Sequence, residues 1–327
     1  MNYIVMDLEW NQSPDGKVHS YADVPFEIIQ IGAVKLDEQF NVVSEFDRYI
    51  CPRLYPRLHR KVEEILGITT AELKAAGDEF EYIIADFFEW CGDDYIFCTW
   101  GGTDLIELQR NMQHYGIELK FPKPFLFYDL QKLYSLCFSD GKTRCTLQCA
   151  VEELGIVMSG HYHSADDDAK YTAKVMQKLD FESVKAYYSV DTFRIPANKK
   201  EEIYLNFGNY GKYISRGFGS REGAALDREV RSCRCFICNK PMKRIIKWFA
   251  TNAKSYYGLF CCEEHGLVKG RFKIKNTDDG RYYAIRILKC TDNDGSNVIR
   301  ERKKREQEHR RLARLRAKDA DKADEGQ

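Results

Sequence analysis

Asp7 and Glu9 stand two residues apart in the stretch Met6-Asp7-Leu8-Glu9-Trp10, after the apolar run Tyr3-Ile4-Val5 and before a turn cluster from Asn11 to Gly16. Side chains two apart on a strand project to the same face. Two carboxylates side by side repel one another, and a hard divalent cation such as Mg²⁺ removes the conflict. Two solvated surface acids would read the same way, so further acids arriving at the same place must decide. Two candidates follow. Asp104 comes after Trp100-Gly101-Gly102-Thr103, where a strand gives way to a helix; there it also suits a plain helix-start charge. Asp168 lies in His161-Tyr162-His163-Ser164-Ala165-Asp166-Asp167-Asp168-Ala169. Ser164 is the expected N-cap, and Asp168 is beyond a cap's reach. It shares a helix face with Ala165, Ala169 and Thr172, all small. Such a face presses closely on a sheet and carries Asp168 toward Asp7 and Glu9, where a carboxylate needs a partner. His163 precedes Asp168 by five residues, and an ordinary imidazole pKa of about 6.5 suits general-base work. A lone loop histidine is also common surface decoration.

A second set of chemical residues lies in the last third of the chain. Cys235 and Cys238 form a C-x2-C knuckle followed by Asn239, and Cys262 and His265 repeat the spacing, followed by Gly266. Asn and Gly tolerate the left-handed turn such knuckles require. The set predicts one tetrahedral Zn²⁺, structural because all four positions are filled. Cys261 is an alternative ligand to Cys262, and Cys233 lies close by. Lys240, Lys243, Arg244, Lys247, Trp248, Lys254, Tyr256 and Tyr257 surround the knuckles. Basic residues interleaved with aromatics suit single-stranded nucleic acid, although a solvated rim has the same composition.

These residues must be held by a scaffold, and the apolar pattern supplies one. Residues 28–36 and 42–50 read as a strand hairpin, 58–66 and 78–91 as helices, 95–99 as a strand and 103–115 as a helix. A fifth strand at 125–127 and helices at 129–137, 146–154 and 164–179 complete the pattern. This order gives an α/β domain, a mixed five-stranded sheet flanked by helices, over residues 1–182. Residues 183–230, with a Gly/Tyr-rich stretch from Phe207 to Gly223, read as a linker or mobile loop. Residues 231–297 form a small zinc-ribbon-like β module. It ends in a hairpin of 271–275 with 281–288, turned by Asp278-Asp279-Gly280. Residues 298–327 are a basic tail. Arg300 to Lys318 holds so few apolar residues that no hydrophobic docking is expected; the tail is either an electrostatic arm for a nucleic-acid backbone or a solvated extension.

The chain has 327 residues, 44% hydrophobic and 31% charged, as in a water-soluble globular protein. No apolar run reaches membrane-spanning length, and the start lacks the pattern of a signal peptide, which predicts a cytoplasmic protein. Twelve cysteines there read as thiols or metal ligands. The formal net charge of zero hides an asymmetry of roughly −11 over residues 1–200 against +11 over the rest.

Taken jointly, Asp-x-Glu on the first strand, Asp104 at a strand-to-helix turn and His163-x4-Asp168 entering a late helix resemble the DEDD 3′→5′ exonucleases of the histidine-containing subfamily. Within it, the histone-mRNA and small-interfering-RNA type exoribonucleases are most alike. Glu27 to Val34, Leu66 to Thr69 and Thr146-Leu147 through Leu154-Gly155 support the likeness, which covers roughly residues 1–182. The resemblance implies an RNase H-like fold. It implies two Mg²⁺ or Mn²⁺ ions held by Asp7, Glu9, Asp104 and Asp168, and His163 as the base that activates water. Two such ions clamp an in-line phosphoryl displacement, favouring the attacking water at one and the leaving 3′-oxygen at the other. The implied activity is hydrolysis of single-stranded RNA to nucleoside 5′-monophosphates. A DNA exonuclease or a catalytically idle RNA-binding adaptor are the alternatives. Trp10 stands where many relatives have Thr or Ala, and with Ile28 and Trp100 it is a candidate nucleotide contact; Ile28 and Trp100 suit a core equally well. Neither membrane nor protein partners are implied.

Overall fold

The computed structural model describes residues 1–16, 19–157 and 164–324, with side chains through residue 313. His163 and its neighbour His161 lie outside the described residues. By its internal contacts the chain divides into two units, Met1–Phe193 and Arg194–Gln327.

In the first unit β1 (Asn2–Gln12) is the central strand, buried on both faces from Tyr3 to Met6. It pairs antiparallel with β2 (Phe26–Leu36) and parallel with β4 (Tyr95–Thr99). β3 (Val42–Tyr49) lies beyond β2, while β5 (Leu126–Asp129) and β6 (Ser189–Val190) lie beyond β4, giving the order β3-β2-β1-β4-β5-β6. The mixed sheet is as expected, but it has six strands rather than five. Two residues, Ser189 and Val190, are too few to show a strand period. Between β3 and β4 lie three helices rather than two: α1 (Arg60–Leu66), α2 (Thr70–Ala76) and α3 (Phe80–Cys91). The extra helix starts with a capping box, in which Thr69 and Glu72 satisfy each other's backbone N–H groups. α4 (Thr103–His114), α5 (Leu130–Phe138), α6 (Leu147–Glu153), α7 (Ala165–Lys178) and α8 (Phe181–Val184) follow.

Alternation along β1 sorts the two cores. Ile4, Met6 and Leu8 face Phe87 of α3 and Leu105 and Leu108 of α4. Tyr3 and Val5 face Leu133 of α5 and Ala169 and Met176 of α7. A fully buried side chain such as Phe87 contributes roughly 1.5–3 kcal/mol of transfer free energy. Asp7 and Glu9 continue the row of Tyr3 and Val5, so they emerge on the side that α7 covers.

The second unit is an antiparallel sheet of six strands. They are β7 (Ile203–Asn206), β8 (Tyr210–Ile214), β9 (Lys243–Ala250), β10 (Ser255–Cys262), β11 (Gly266–Asn276) and β12 (Tyr282–Cys290). Their order is β7-β8-β12-β11-β10-β9. The expected hairpin is β11 with β12, Lys273 facing Ile285, with Gly280 at φ 78° in its turn. Three expectations need correction. Residues 183–230 are not a linker: β6 completes the first sheet, and β7, β8 and α9 (Arg221–Leu226) belong to the second unit. The Gly/Tyr-rich stretch contains β8, whose Gly211 and Tyr213 bury one face, with Phe236 seated over Gly211, and runs into the start of α9. The β module is accordingly larger than a small ribbon, with β7 and β8 joined to it. The tail also docks. α10 (Asn293–Asp324) begins before residue 298, and Ile299 is buried against Phe249 and Leu259. Arg302 lies 4.2 Å from the Tyr257 ring centre and Lys303 4.8 Å from that of Phe249. The stems and charges of these cations on aromatic faces replace the missing apolar stripe. Among the described residues no helix is long and apolar enough to cross a membrane.

Candidate active site and cysteine cluster

Asp7 sits directly across from Gly32 of β2 in the sheet register. A side chain at Gly32 would meet the backbone of Ala165 at 2.1 Å, so the start of α7 rests on the sheet at the one residue that leaves it room. Ala165, Ala169 and Thr172 are buried there, as their size predicts. The helix start is not capped by Ser164, which occupies the N-cap position without a capping hydrogen bond. Gln30 takes that role: its Oε1 accepts from the Ala165 N–H at 3.2 Å, while its Nε2 donates to Asp47 at 2.8 Å. The consequence is that carboxylate oxygens of Asp7, Glu9 and Asp168 lie within 4.8 Å of one another.

Asp104 enters from the first turn of α4, 6% exposed, with its carboxylate near the Leu8 backbone N–H between the two β1 acids. It is not one of the three carboxylates that converge within 4.8 Å. It is still close enough for its charge to act on both Asp7 and Glu9. Burial, and then the charges of Asp104, Glu9 and Asp168, hold the Asp7 carboxyl well above the usual carboxylate range. Burial followed by Asp168 and Asp104 pushes Glu9 up to about 8. Burial raises Asp104 to about 7, opposed by the N–H groups of Asp104 and Leu8. Hard anionic oxygens at this separation, each unwilling to ionise beside the others, are a donor set that a divalent cation fits.

The remaining candidates separate clearly. Ile28 is fully buried in the core shared with Phe87 and Leu105, so it offers no surface to a nucleotide; the expectation of a contact there is withdrawn. Trp10 is half-buried against the same core, with its ring 5.8 Å from Phe26. Trp100 is half-buried, and its indole N–H donates to the Cys145 carbonyl at 3.3 Å. Two further residues organise the neighbourhood. Buried Asn11 donates to the carbonyls of Tyr55 and Arg57 and accepts from the His59 N–H. Buried Glu27 accepts from the N–H groups of Arg53, Leu54 and Tyr55. Together they fix residues 53–59 beside the end of β1. A polar residue between apolar neighbours, Phe26 and Ile28, is a local sign for Glu27, whereas Asn11, followed by Gln12 and Ser13, carries no such sign.

In the second unit one ligand atom from each of Cys235, Cys238, Cys262 and His265 falls within a 4.8 Å cluster. The Cys262 Sγ lies 3.6 Å from both Cys238 Sγ and His265 Nδ1. Asn239 at φ 56° and Gly266 at φ 69° adopt the left-handed turns after the two knuckles. Strand alternation decides between adjacent cysteines: Cys262 is buried in the cluster, and Cys261 projects to the other face of β10. Burial works against ionising Cys262, yet the His265 ring and the N–H groups of His265 and Glu264 outweigh it and bring the thiol down to about 6. An easily ionised thiol beside an imidazole and two more sulfurs fits a soft-ligand metal site.

Residues 4–176 match the family described as Exonuclease, the RNase T type. The chain is 31% identical over 179 residues to the probable 3′-5′ exonuclease KapD of Bacillus subtilis (strain 168), spanning 54% of this chain and 83% of that one. It is 25% identical over 167 residues to 3′-5′ exoribonuclease 1 of Rattus norvegicus, 48% of either chain, and so spans about half the length of that relative. The crystallographic structure of the nuclease domain of 3′hExo, a DEDDh family member bound to rAMP, superposes with a TM-score of 0.48 at 19% identity, over 58% of this chain and 96% of that one. With a family match over more than half its residues, gathered around the same sheet that brings Asp7, Glu9 and Asp168 together, this chain belongs to the exonuclease family, hydrolases of nucleic-acid phosphodiester bonds.

Proposed function

We propose that the chain removes nucleotides from the 3′ end of single-stranded RNA, with two Mg²⁺ or Mn²⁺ ions held by Asp7, Glu9, Asp104 and Asp168. The observation that carries this reading is the convergence of the Asp7, Glu9 and Asp168 oxygens within 4.8 Å, with Asp104 near enough for its charge to act on Asp7 and Glu9. When bound, divalent cations there supply Lewis-acid stabilisation of the attacking water and the leaving oxygen. The protein's own residues do the rest. β1 and α7 orient the carboxylates, and Gly32 and Gln30 keep α7 at its place. His163 takes the proton of the attacking water, whose oxygen joins phosphorus as the bond to the 3′-oxygen breaks. The products are a nucleoside 5′-monophosphate and a strand one residue shorter with a free 3′-hydroxyl. Trp10, near the end of β1, and Trp100, just before α4, are half-buried aromatic residues that suit contact with the terminal base. RNA is favoured over DNA because the rat relative is named an exoribonuclease.

In the same reading Cys235, Cys238, Cys262 and His265 hold one structural Zn²⁺, which stabilises the fold around β10 and β11. A cytosolic setting suits a chain whose twelve cysteines include three in a metal-ready cluster.

The test uses RNA and DNA strands of one sequence, each labelled at the 5′ end, incubated with Mg²⁺. The expected result is a ladder of 5′-labelled RNA fragments shortening one nucleotide at a time from the 3′ end, with the DNA strand degraded more slowly. A labelled mononucleotide appearing first from the 5′ end, or internal fragments only, contradicts the reading.

A further inference from the structure

We infer that the second unit carries a nucleobase-stacking cleft of its own, which holds a single-stranded segment of the RNA upstream of the end being degraded. This rests on the proposed RNA substrate. The cleft lies at the β7 edge of the second sheet and encloses about 470 Å³. That volume is within the range of pockets that take one small ligand such as a nucleotide.

Its floor is a row of side chains paired directly across the strands. Tyr204 of β7 faces Tyr213 of β8, and Tyr213 faces Arg286 of β12. The Arg286 guanidinium is 4.6 Å from the Tyr213 ring centre, and the Tyr213 and Tyr204 ring centres are 4.9 Å apart. The row thus begins at a buried cation and ends at an exposed ring. Arg286 is 6% exposed and donates to the carbonyls of Val230 and Ser232, with the Glu229 carboxylate 3.7 Å away. Tyr213 is 2% exposed, whereas Tyr204 is 57% exposed. The Tyr213 and Tyr204 ring planes are tilted by 40°, so the row is a series of ring contacts on a fixed guanidinium, and it ends at a sheet edge in an open tyrosine whose exposed face is left for a base to stack on.

The opposite wall is the first cysteine knuckle. Phe236 is pinned over Gly211, where any side chain would meet its Cβ at 2.5 Å, and its carbonyl accepts from the Asn206 side chain at 3.0 Å. A second aromatic ring therefore faces the cleft on a rigid mount. Lys212 and Arg234 line the rim beside Arg286, against the single carboxylate of Glu229. Three cations to one anion, with aromatic rings between them, match the alternating phosphates and bases of a single strand rather than an apolar or acidic ligand. Every base has a stackable face, so the cleft reads strandedness and not sequence.

The test is made with the full chain in an Asp7→Ala background, where binding is read without cleavage, using a fluorescein-labelled 20-nucleotide oligouridine and fluorescence anisotropy. Tyr204 is exposed, so Tyr204→Ala leaves the fold intact, and an unchanged unfolding temperature confirms it. Tyr204→Ala is expected to weaken binding roughly tenfold and Tyr204→Phe less than twofold, the signature of ring stacking. Arg234→Ala is expected to weaken binding and flatten the slope of log affinity against log salt by about one phosphate's share. In the Asp7-intact protein, Tyr204→Ala should leave cleavage of a trinucleotide unchanged while slowing that of the 20-mer. Full affinity for the 20-mer in Tyr204→Ala, or an equal loss in Tyr204→Phe, overturns the cleft. Failure of the wild type to cleave any RNA, with the Tyr204→Ala binding loss still present, removes the exonuclease reading and leaves the cleft standing.

Discussion

Asp7, Glu9, Asp104 and Asp168 come from three distant stretches of chain, and they meet only because a strand, a second helix start and a late helix converge on one sheet. Cys235, Cys238, Cys262 and His265 come from two knuckles at neighbouring turns. The first set is assembled by the fold; the second, in the proposed function, holds a metal that organises its surroundings. Their electrostatics differ in the same sense. The carboxylates resist ionisation, with Asp7 and Glu9 raised by burial and by the neighbouring acids. In the cysteine cluster Cys262 is eased toward its ionised form by His265. A site that stores repulsion is stabilised by cation and substrate together, which suits chemistry. A site whose four ligand atoms already lie together closes on one ion, which suits architecture.

Removing one ligand from each set should therefore have opposite consequences. Asp7→Ala is expected to lower turnover by roughly 10³-fold or more, since several kcal/mol of charge stabilisation is lost. Its unfolding temperature without divalent ions should be equal or higher, because a repelling carboxylate is gone. Steady-state cleavage and a melting curve check both halves, and a destabilised but active Asp7→Ala would falsify the assignment. Cys238→Ser should do the reverse. Limited proteolysis should open the region around β10 and β11 while residues 1–193 stay resistant, and cleavage of a trinucleotide should persist. A variant that stays protease-resistant after its zinc is removed contradicts a structural metal there.

The acid site also leaves a small signature in the pH dependence of stability. The folded carboxyls of Glu9, at about 8, and Asp104, at about 7, lie above their ordinary values, as does that of Asp7. Between the ordinary range near pH 4 and about pH 8 the folded protein without divalent ions holds more protons than the unfolded one. Its stability is thus fully present below about pH 4 and is lost as pH rises toward 8. Urea unfolding of chelator-treated protein in a zinc-sparing buffer measures this slope. Saturating Mg²⁺ should flatten it, and Glu9→Gln should remove its share of it. A slope that is unchanged in Glu9→Gln speaks against the shared site.

Much of this arrangement was legible in the sequence, for identifiable reasons. Alternation placed Asp7 and Glu9 on one face, and the small residues Ala165, Ala169 and Thr172 marked the packing side of α7. The left-handed tolerance of Asn239 and Gly266 marked both knuckles. What escaped depended on contacts between distant segments. Nothing local distinguishes Gly32 from a glycine that merely weakens a strand, because its role is set by Ala165. Gln30 replaces Ser164 as the partner of the α7 start only once β2 and α7 are adjacent. Ile28 was legible as core or as nucleotide contact, and the helices on either side of the sheet decide for the core. The Phe207–Gly223 stretch read as irregular because glycine hides a strand period, and α10 read as undocked because its partners are aromatic rings in β9 and β10.

The four acids are proposed as one cation centre and the cysteine cluster as another, independent of it. Calorimetric titration of Mn²⁺ into the zinc-replete full chain, with Asp7→Ala and Cys238→Ser alongside, tests this most directly. Two Mn²⁺ ions are expected for the wild type, with affinity weakened at least about tenfold in Asp7→Ala, where a carboxylate ligand is lost, and unchanged in Cys238→Ser. Wild-type Mn²⁺ binding in Asp7→Ala, or its loss in Cys238→Ser, would contradict this.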